Sequence, residues 1–389
     1  GQIGILNRQT FSANSADNAK IATLMLKYDN LGDLQWSKLI PNVFVTDFDF
    51  TNNEDVFVTG YTQAGGFTIG TCYTSHSYFP GGHIDFSQTN PFPSPNLNHF
   101  ANPSTVAPDC QINGCVPNSF DAKYKEQLYL GLLNKNTGSF PTYQGVVNGN
   151  PVTLPKSKAY GSIGIEKGLG VKVINNTAYI SCEVIHSDQC GVPPGAFKYG
   201  AGINFGSGGV NELLEFNVNT FSENGRFSST FNPGITHAMA KNGNNLYLVD
   251  FEQGNGFVLR VLNTISQTLV ASLNIGSDIF NDLYVDSNGD AYVAFEGFTT
   301  NYVRRYNFDN SVSPPTLSQD RTYNTNRKPL AISGKGTDVY VFYAQNSSST
   351  SPDPVLGVDK IDVSSSPSFG TALWHEESEG INITISDLA

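Results

Sequence analysis

The residues best equipped for chemistry in this chain are few: six histidines, five cysteines and scattered carboxylates. His76, His83, His99, His186, His237 and His375 show neither HxxxH nor HExxH spacing, so no metalloprotease-type site can be read from them. Cys110/Cys115 and Cys182/Cys190 are close pairs in loop-like surroundings, which reads as two local disulfides formed in an oxidising compartment. Zinc and reduced thiols are the competing readings. Zinc needs four converging ligands, and neither pair has His or Cys at finger spacing. Cys72 is left over, either buried and inert or bonded to another chain. Asp286-Ser287-Asn288-Gly289-Asp290 has the oxygen density of a calcium loop but lacks the Glu at its twelfth position and the flanking helices, so it reads as a hairpin turn. The Gly-rich run Gly200–Gly209 has no following Lys-Ser/Thr, and no G-x-S-x-G elbow or dinucleotide fingerprint occurs. Glu376/Glu377 reads as a solvated loop pair. Three glycosylation sequons begin at Asn175, Asn346 and Asn382; Asn175 and Asn346 fall in turns and are the candidates, whereas Asn382 falls in a predicted strand.

The elements that must carry these residues are short strands. In Asn281–Gly297, Leu283 and Val285, then Ala291, Val293 and Phe295, alternate on either side of a turn containing Asn-Gly. Period-two alternation means a strand with one face buried, and Asn-Gly between two such runs is a strong hairpin signal. Copies of this hairpin align on the aromatic of the second strand: Phe57, Tyr179, Tyr247, Tyr292 and Tyr340. Between them lie runs of an outer-strand type, at 127–133, 212–216, 257–261, 302–306 and 358–361.

The best-formed unit is KYDNLGDLQWSK followed by VTDFDFTNNEDVFVTGYT, within residues 21–62. It resembles the bacterial β-propeller repeat family usually called SBBP, in which a D-x-x-G-x-x-x-W hairpin alternates with a D-x-x-G-N-x-Y-V-T-G-Y-T hairpin. The match covers about 42 residues and becomes a generic propeller pattern elsewhere. The resemblance implies radially arranged, four-stranded blades of the kind common in secreted or surface proteins, and no single activity.

Ile381–Ala389 looks like the first strand of a hairpin without its partner, and Gly1–Leu6 looks like that partner. Pairing them makes most spacings between aligned positions approach the 40–50 residues of a propeller blade. The expectation is therefore an all-β, single β-propeller spanning 1–389, with six blades, or seven as the alternative, and the last blade closed by the two terminal strands. Two excursions interrupt the pattern. Residues 63–120 are rich in Pro and carry three Cys, which reads as a long surface loop, or as a cryptic seventh blade; residues 188–209 are Gly-rich. His237, Asp282 and Lys328 fall where leading strands enter the axial channel and are its candidate lining residues.

Composition sets the outer bounds. Charged residues are 14% and net charge is −12, which excludes an electrostatic grip on nucleic acid. No apolar run is long enough to span a bilayer as a helix. The chain opens Gly-Gln-Ile-Gly without Met, which reads as a processed or artificially chosen start. No sequence feature implies a cofactor. The expected function is a non-catalytic extracellular binding or assembly module, on a cell surface or in a filament. Its partners are other protein chains, including copies of itself through loops or terminal strands, with carbohydrate as a further option. The alternative is a carbohydrate-active or lyase-type propeller enzyme with its site at the axial channel mouth.

Overall fold

A computed structural model describes residues 2–10, 20–29, 31–41, 43–63, 126–147, 150–160, 165–185, 198–199, 203–204, 210–227, 235–252, 254–325, 327–345, 355–363 and 372–378. The described residues are all-β, and five complete four-stranded antiparallel meanders of the β-propeller type are built from them. The chain divides into two compact units, 1–233 and 234–389.

The first unit begins with a three-stranded sheet of β1 (Gln2–Thr10), β2 (Lys20–Tyr28) and β3 (Leu34–Pro41). The next sheet runs β4 (Val43–Phe50), β5 (Val56–Gln63), β6 (Glu126–Leu133), then β9 (Ser157–Tyr160), after an inserted hairpin of β7 (Thr142–Val147) and β8 (Asn150–Pro155) that the sequence pattern did not announce. The third runs β10 (Ile165–Ile174), β11 (Thr177–Ile185), β14 (Val210–Asn217) and β15 (Ser222–Arg226), with the two-residue strands β12 (Lys198–Tyr199) and β13 (Ile203–Asn204) paired inside its long connection.

The second unit repeats the plan three times. Its sheets are β16 (Ile235–Asn242), β17 (Asn245–Glu252), β18 (Gly256–Asn263) and β19 (Thr268–Gly276); β20 (Ile279–Val285), β21 (Ala291–Glu296), β22 (Asn301–Asp309) and β23 (Thr316–Thr325); and β24 (Lys328–Lys335), β25 (Asp338–Gln345), β26 (Val355–Ile361) and β27 (Ala372–Ser378). The aligned aromatics Phe57, Tyr179, Tyr247, Tyr292 and Tyr340 all lie on the second strand of their sheet, and the first four are buried. Glu376 and Glu377, read as loop residues, sit instead in the outermost strand β27.

Within each unit the apolar faces of successive sheets pack together. In the first, Phe57, Phe216 and Phe221 meet with centroids 5.1–6.2 Å apart, and Tyr143 of the inserted hairpin lies 5.6 Å from Phe221. Rings of this size, fully buried, contribute about 1.5–3 kcal/mol each. The approach of β10 to β5 needs Gly168, since a Cβ there would lie 2.0 Å from Thr59 Oγ1.

One end of the sheets is held by side chains that cap their own turns. Between third and fourth strands, Asn134, Asn217 and Asn263 each accept two backbone N–H bonds on Oδ1, from residues two and three further on, at 2.9–3.2 Å. Each of these turns closes with a hydroxyl pair at 2.7 Å: Thr137/Ser139, Thr220/Ser222 and Ser266/Thr268. The intervening residue is left-handed in all three, Gly138, Phe221 and Gln267. Asn and Asp favour such turns because their side chains imitate a backbone acceptor.

The Asp286–Asp290 turn belongs to the same end. Asp286 is buried, and its Oδ1 accepts from the N–H groups of Asn288 and Asp290 at 2.9 and 3.0 Å. Gly289 takes the positive φ of 90° that closes the turn, while Arg305 forks onto Asp290 Oδ2 at 2.7 and 3.1 Å. The Asp286 oxygen is occupied by turn amides and the Asp290 oxygen by Arg305, in keeping with the hairpin reading. Asn175 is exposed in a left-handed turn position, while Asn346 and Asn382 lie outside the described residues.

Candidate functional site

The opposite end of the sheets is irregular in a repeated way. In each four-stranded sheet the leading strand carries one unpaired extra residue: Thr46 in β4, Leu169 in β10, His237 in β16, Asn281 in β20 and Leu330 in β24. A β-bulge breaks the ladder and re-aims the side chains around it, and such features are common beside binding and active sites. The connections between second and third strands also leave from this end. Residues 64–125 depart after the Gln63/Glu126 pair, and 186–209 after the Val184/Val210 pair; 346–354 follow the Gln345/Val355 pair. The two sheets headed by β16 and β20 have short connections instead, 253–255 and 297–300. Both excursions read from the sequence thus enter at the bulged end. The 63–120 segment itself lies almost wholly outside the described residues, as does the cryptic-blade alternative placed on it.

At two of the five bulges the residue that follows is an aspartate that ties neighbouring sheets together. Asp47 Oδ2 accepts from Val171 N at 2.7 Å while Oδ1 accepts from Phe48 N at 2.8 Å. Asp282 does the same with Ile332 N at 2.7 Å and Leu283 N at 2.8 Å. In both cases a carboxylate satisfies an amide on the outer edge of the next leading strand, a group that would otherwise be a costly orphan. Lys172 Nζ adds a 3.0 Å ion pair to Asp47.

These positions rearrange the trio expected to line a channel. His237 is the bulged residue itself, Asp282 follows its bulge, and Lys328 stands two before its own. The three therefore occupy different places in the repeat. Asp282 is engaged in the inter-sheet clamp, and Lys328 Nζ pairs with Glu296 at 2.7 Å. The structural equivalents of His237 are Asn281 and Leu330. The signal lies in the sequence as a slip of phase: Phe280 is buried, then Leu283 and Val285, so the alternation changes parity across Asn281-Asp282.

In the second unit the bulged end of the first two sheets is aromatic. His237 lies 5.2 Å from Phe257, 6.2 Å from Phe280 and 6.4 Å from Phe251. The series continues through Phe295 to Tyr302, over which Arg304 is stacked at 4.3 Å. His237 keeps one side open to solvent, but packing against these rings disfavours the imidazolium and pushes its pKa below that of a free histidine. Beside it, Arg260 is held by both Asp250 and Glu252, and Thr236 Oγ1 donates to Asp250 at 2.7 Å. Burial raises the pKa of Asp250, with Thr236 and Arg260 opposing the rise.

Four large apolar side chains remain exposed here: Phe298 at 102%, Ile279 at 60%, Ile235 at 39% and Phe251 at 38%. Phe298 lies in the short 297–300 connection, and Ile235 is the cross-strand partner of Phe251. Neither Ile279 nor Phe298 was singled out by sequence reasoning, because an apolar residue at a strand end reads as core until its neighbours are known.

A second constellation crosses the strands of the last sheet. His375 Nδ1 is 2.6 Å from Asp359 Oδ1 and 2.8 Å from Tyr343 Oη, while Arg327 Nη1 is 2.7 Å from the same phenol oxygen. Asp359 is buried, and Tyr323 donates to its Oδ2 at 3.2 Å. A carboxylate–imidazole pair with a phenol and a guanidinium has the residue types for acid–base work. Its members come from β25, β26, β27 and the approach to β24, with Tyr343 paired to Pro329 beside the Leu330 bulge.

Of the cysteines, Cys182 is buried in β11, and Cys72, Cys110, Cys115 and Cys190 lie outside the described residues. Among the described residues no group of three His, Cys, Asp or Glu converges to hold a metal ion, and no helix is long and apolar enough to cross a membrane. At the capped end, a cavity of about 480 Å³ is lined by Asn52–Asp55 and Asn134–Asn136.

No protein-family model matches the chain, and no curated protein matches it. Among solved structures, it is similar to the β-propeller domain of Cps50 (Swd1) from Myceliophteria thermophila, at 8% identity and a TM-score of 0.41, with 91% of this chain and 86% of that one covered. It is also similar to the WD40 β-propeller domain of Doa1, at 9% identity and a TM-score of 0.33, covering 84% and 87%. The C-terminal WD40 domain of Sif2 gives 10% identity and a TM-score of 0.34, covering 87% and 79%.

Proposed function

We propose that this chain is a non-catalytic, extracellular binding or assembly module that engages other protein chains through the bulged end of its sheets. The observation that carries the reading is the set of large apolar side chains Ile235, Phe251, Ile279 and Phe298 left exposed at the bulged ends of two consecutive sheets, Phe251 lying 6.4 Å from His237. Exposed apolar surface of this kind marks interaction sites more often than chance. A photo-crosslinking amino acid placed at Phe298 tests it in the native setting. A discrete adduct with a second polypeptide is expected; adducts only from a control position at the capped end, such as Asn53, would overturn it.

The proposal includes a finer reading of the fold. The sheet of β1–β3 has three strands among the described residues where five others have four. Residues 381–388, which lie outside the described residues, have the alternation to supply the fourth, giving six blades closed by the two ends of the chain. Removing residues 380–389 is then expected to deprotect β1 amides in hydrogen exchange, and unchanged protection would sink the count. We also assign residues 21–62 to an SBBP-type repeat on the hairpin motifs they carry.

One observation favours a second reading, a carbohydrate-active or lyase-type enzyme: the Asp359–His375 pair with Tyr343 and Arg327. Turnover of a polysaccharide panel, abolished by His375→Gln, would establish it in place of the first.

A further inference from the structure

We infer that Asn224 is a site of spontaneous deamidation, set apart by the fold from the other described Asn-Gly steps and leading to an isoaspartyl linkage in strand β15. The chain has six such steps, at Asn113, Asn148, Asn224, Asn242, Asn255 and Asn288, and the first two lie outside the described residues. In the reaction the glycine amide nitrogen gives its proton to solvent base and bonds to the asparagine Cγ. The Cγ–Nδ2 bond then breaks, and ammonia leaves with a proton taken from water. Water opens the resulting succinimide at either carbonyl. One opening gives Asp; the other gives isoaspartate, whose main chain runs through the former side chain. The net change is Asn plus water to Asp or isoaspartate plus ammonia, with nothing oxidised or reduced. Glycine favours the attack because no Cβ shields its nitrogen.

Three of the four described steps are restrained. Asn242 Nδ2 donates to the carbonyls of Asp286 and Ser287 at 3.1 and 3.3 Å. Asn255 Nδ2 donates to Glu252 Oε2 at 3.0 Å, and a Cβ on Gly256 would stand 2.5 Å from the Gly276 carbonyl oxygen. At Asn288 the attacking nitrogen is engaged, since Gly289 N donates to the Asp286 carbonyl at 3.1 Å. All three lie in turns between strands other than the outermost of their sheets.

Asn224 differs on each count. It is exposed, and among the described residues nothing bonds its carboxamide. It is the extra residue of a bulge, between the Glu215/Gly225 and Phe216/Glu223 pairs. Gly225 has a φ of 134° and open space where a Cβ would point. Strand β15 is the outermost of its sheet, has five residues, and buries none of them. Attack needs the Gly225 amide released from the ladder and the carboxamide swung over it. It therefore waits on local opening, and a short, bulged edge strand opens at least cost. The isoaspartyl product places a carboxylate next to Glu223 and lengthens the main chain by a methylene just before Phe227. That residue anchors the strand end, with a buried ring and an N–H donated to the Leu213 carbonyl at 2.9 Å. β15 loosens once the linkage forms.

The test incubates the full chain at mildly alkaline pH, folded and in urea. The four sites are followed by tandem mass spectrometry of digests, and an isoaspartyl methyltransferase labels the product. In the folded chain Asn224 is expected to react at least tenfold faster than Asn242, Asn255 or Asn288, and in urea that lead should collapse. Asn224→Gln, a change at an exposed side chain, should remove the methyl label from the peptide of residues 199–226. Hydrogen exchange at residues 222–227 is expected to quicken as the isoaspartyl form accumulates. A lead held by any of the other three sites, a lead that persists in urea, or a label that survives Asn224→Gln overturns the inference, as does a folded chain in which Asn224 does not react. Unchanged exchange at 222–227 in the modified chain overturns the loosening of β15.

Discussion

The two ends of the sheets solve opposite problems with the same backbone. At the capped end, Asn134, Asn217, Asn263 and Asp286 spend their side chains on their own turns. At the bulged end, the leading strands break register and large apolar groups face solvent. The first arrangement satisfies its polar groups locally, although Leu31, Ile265, Leu269 and Val312 stay exposed in or beside its turns. The second leaves exposed apolar surface that only association can cover. Stability should therefore be concentrated at one end and binding at the other.

The sharpest test of that division is Asp290→Ala, which removes the fork on the Arg305 guanidinium and leaves it Asp320 at 3.6 Å and the Val363 carbonyl at 3.0 Å. A loss of about 2.5 kcal/mol is expected in urea unfolding, since two charge-assisted hydrogen bonds are lost while Asp320 still faces the guanidinium. A loss under about 0.5 kcal/mol, the scale of an exposed pair, would mean that the capped end is not held by this network. Phe221→Gly comes next. Glycine would relieve the left-handed φ of 52° but remove a fully buried ring, for a net loss of about 2 kcal/mol. A gain in stability would show that backbone strain outweighs packing at that turn.

A smaller effect is expected at His237, through pH. Its folded pKa lies below the unfolded value near 6.5, so the unfolded chain takes up the proton more readily. Its contribution is complete above about pH 6.5 and is lost as pH falls through that value toward the folded pKa. The stability gap between the natural chain and His237→Gln should shift between pH 7.5 and 5 in that sense, about one unit either side of the free value; a gap constant with pH would refute it. Smallest of all is Ile279→Ser, at an exposed position, with less than about 0.5 kcal/mol expected in the same assay. A larger loss would place Ile279 in the packing of the fold and blur the distinction between the ends.

Much of the capped end can be read from residue order. Tight turns leave chemical signatures, so Asp29-Asn30-Leu31-Gly32-Asp33 and Asp286–Asp290 identify themselves, and the strands from 20 to 63 begin within a residue of where the alternation starts them, although β3 runs on to Pro41, three residues past Lys38. The three Asn-led turns were readable too, as N-x-x-[ST]-x-[ST], although in Asn217–Ser222 a buried phenylalanine disguises the left-handed position. The bulged end is harder. A bulge shows only as a change of parity within seven or eight residues, easily taken for noise, and Asp282 looks like a free acid until Ile332 N is found beside it. The His375–Asp359 contact joins residues on adjacent strands whose register no local pattern supplies.

The carboxylates of Asp47 and Asp282 have a bearing on how the molecule could be divided. Each completes the amide valences of a strand that belongs to the following repeat. A fragment cut between β9 and β10, or between β23 and β24, would leave a donor row without its acceptor on one side and an idle anion on the other. Truncation, circular permutation and the grafting of single repeats into other scaffolds would therefore succeed only at boundaries where no such loan is outstanding.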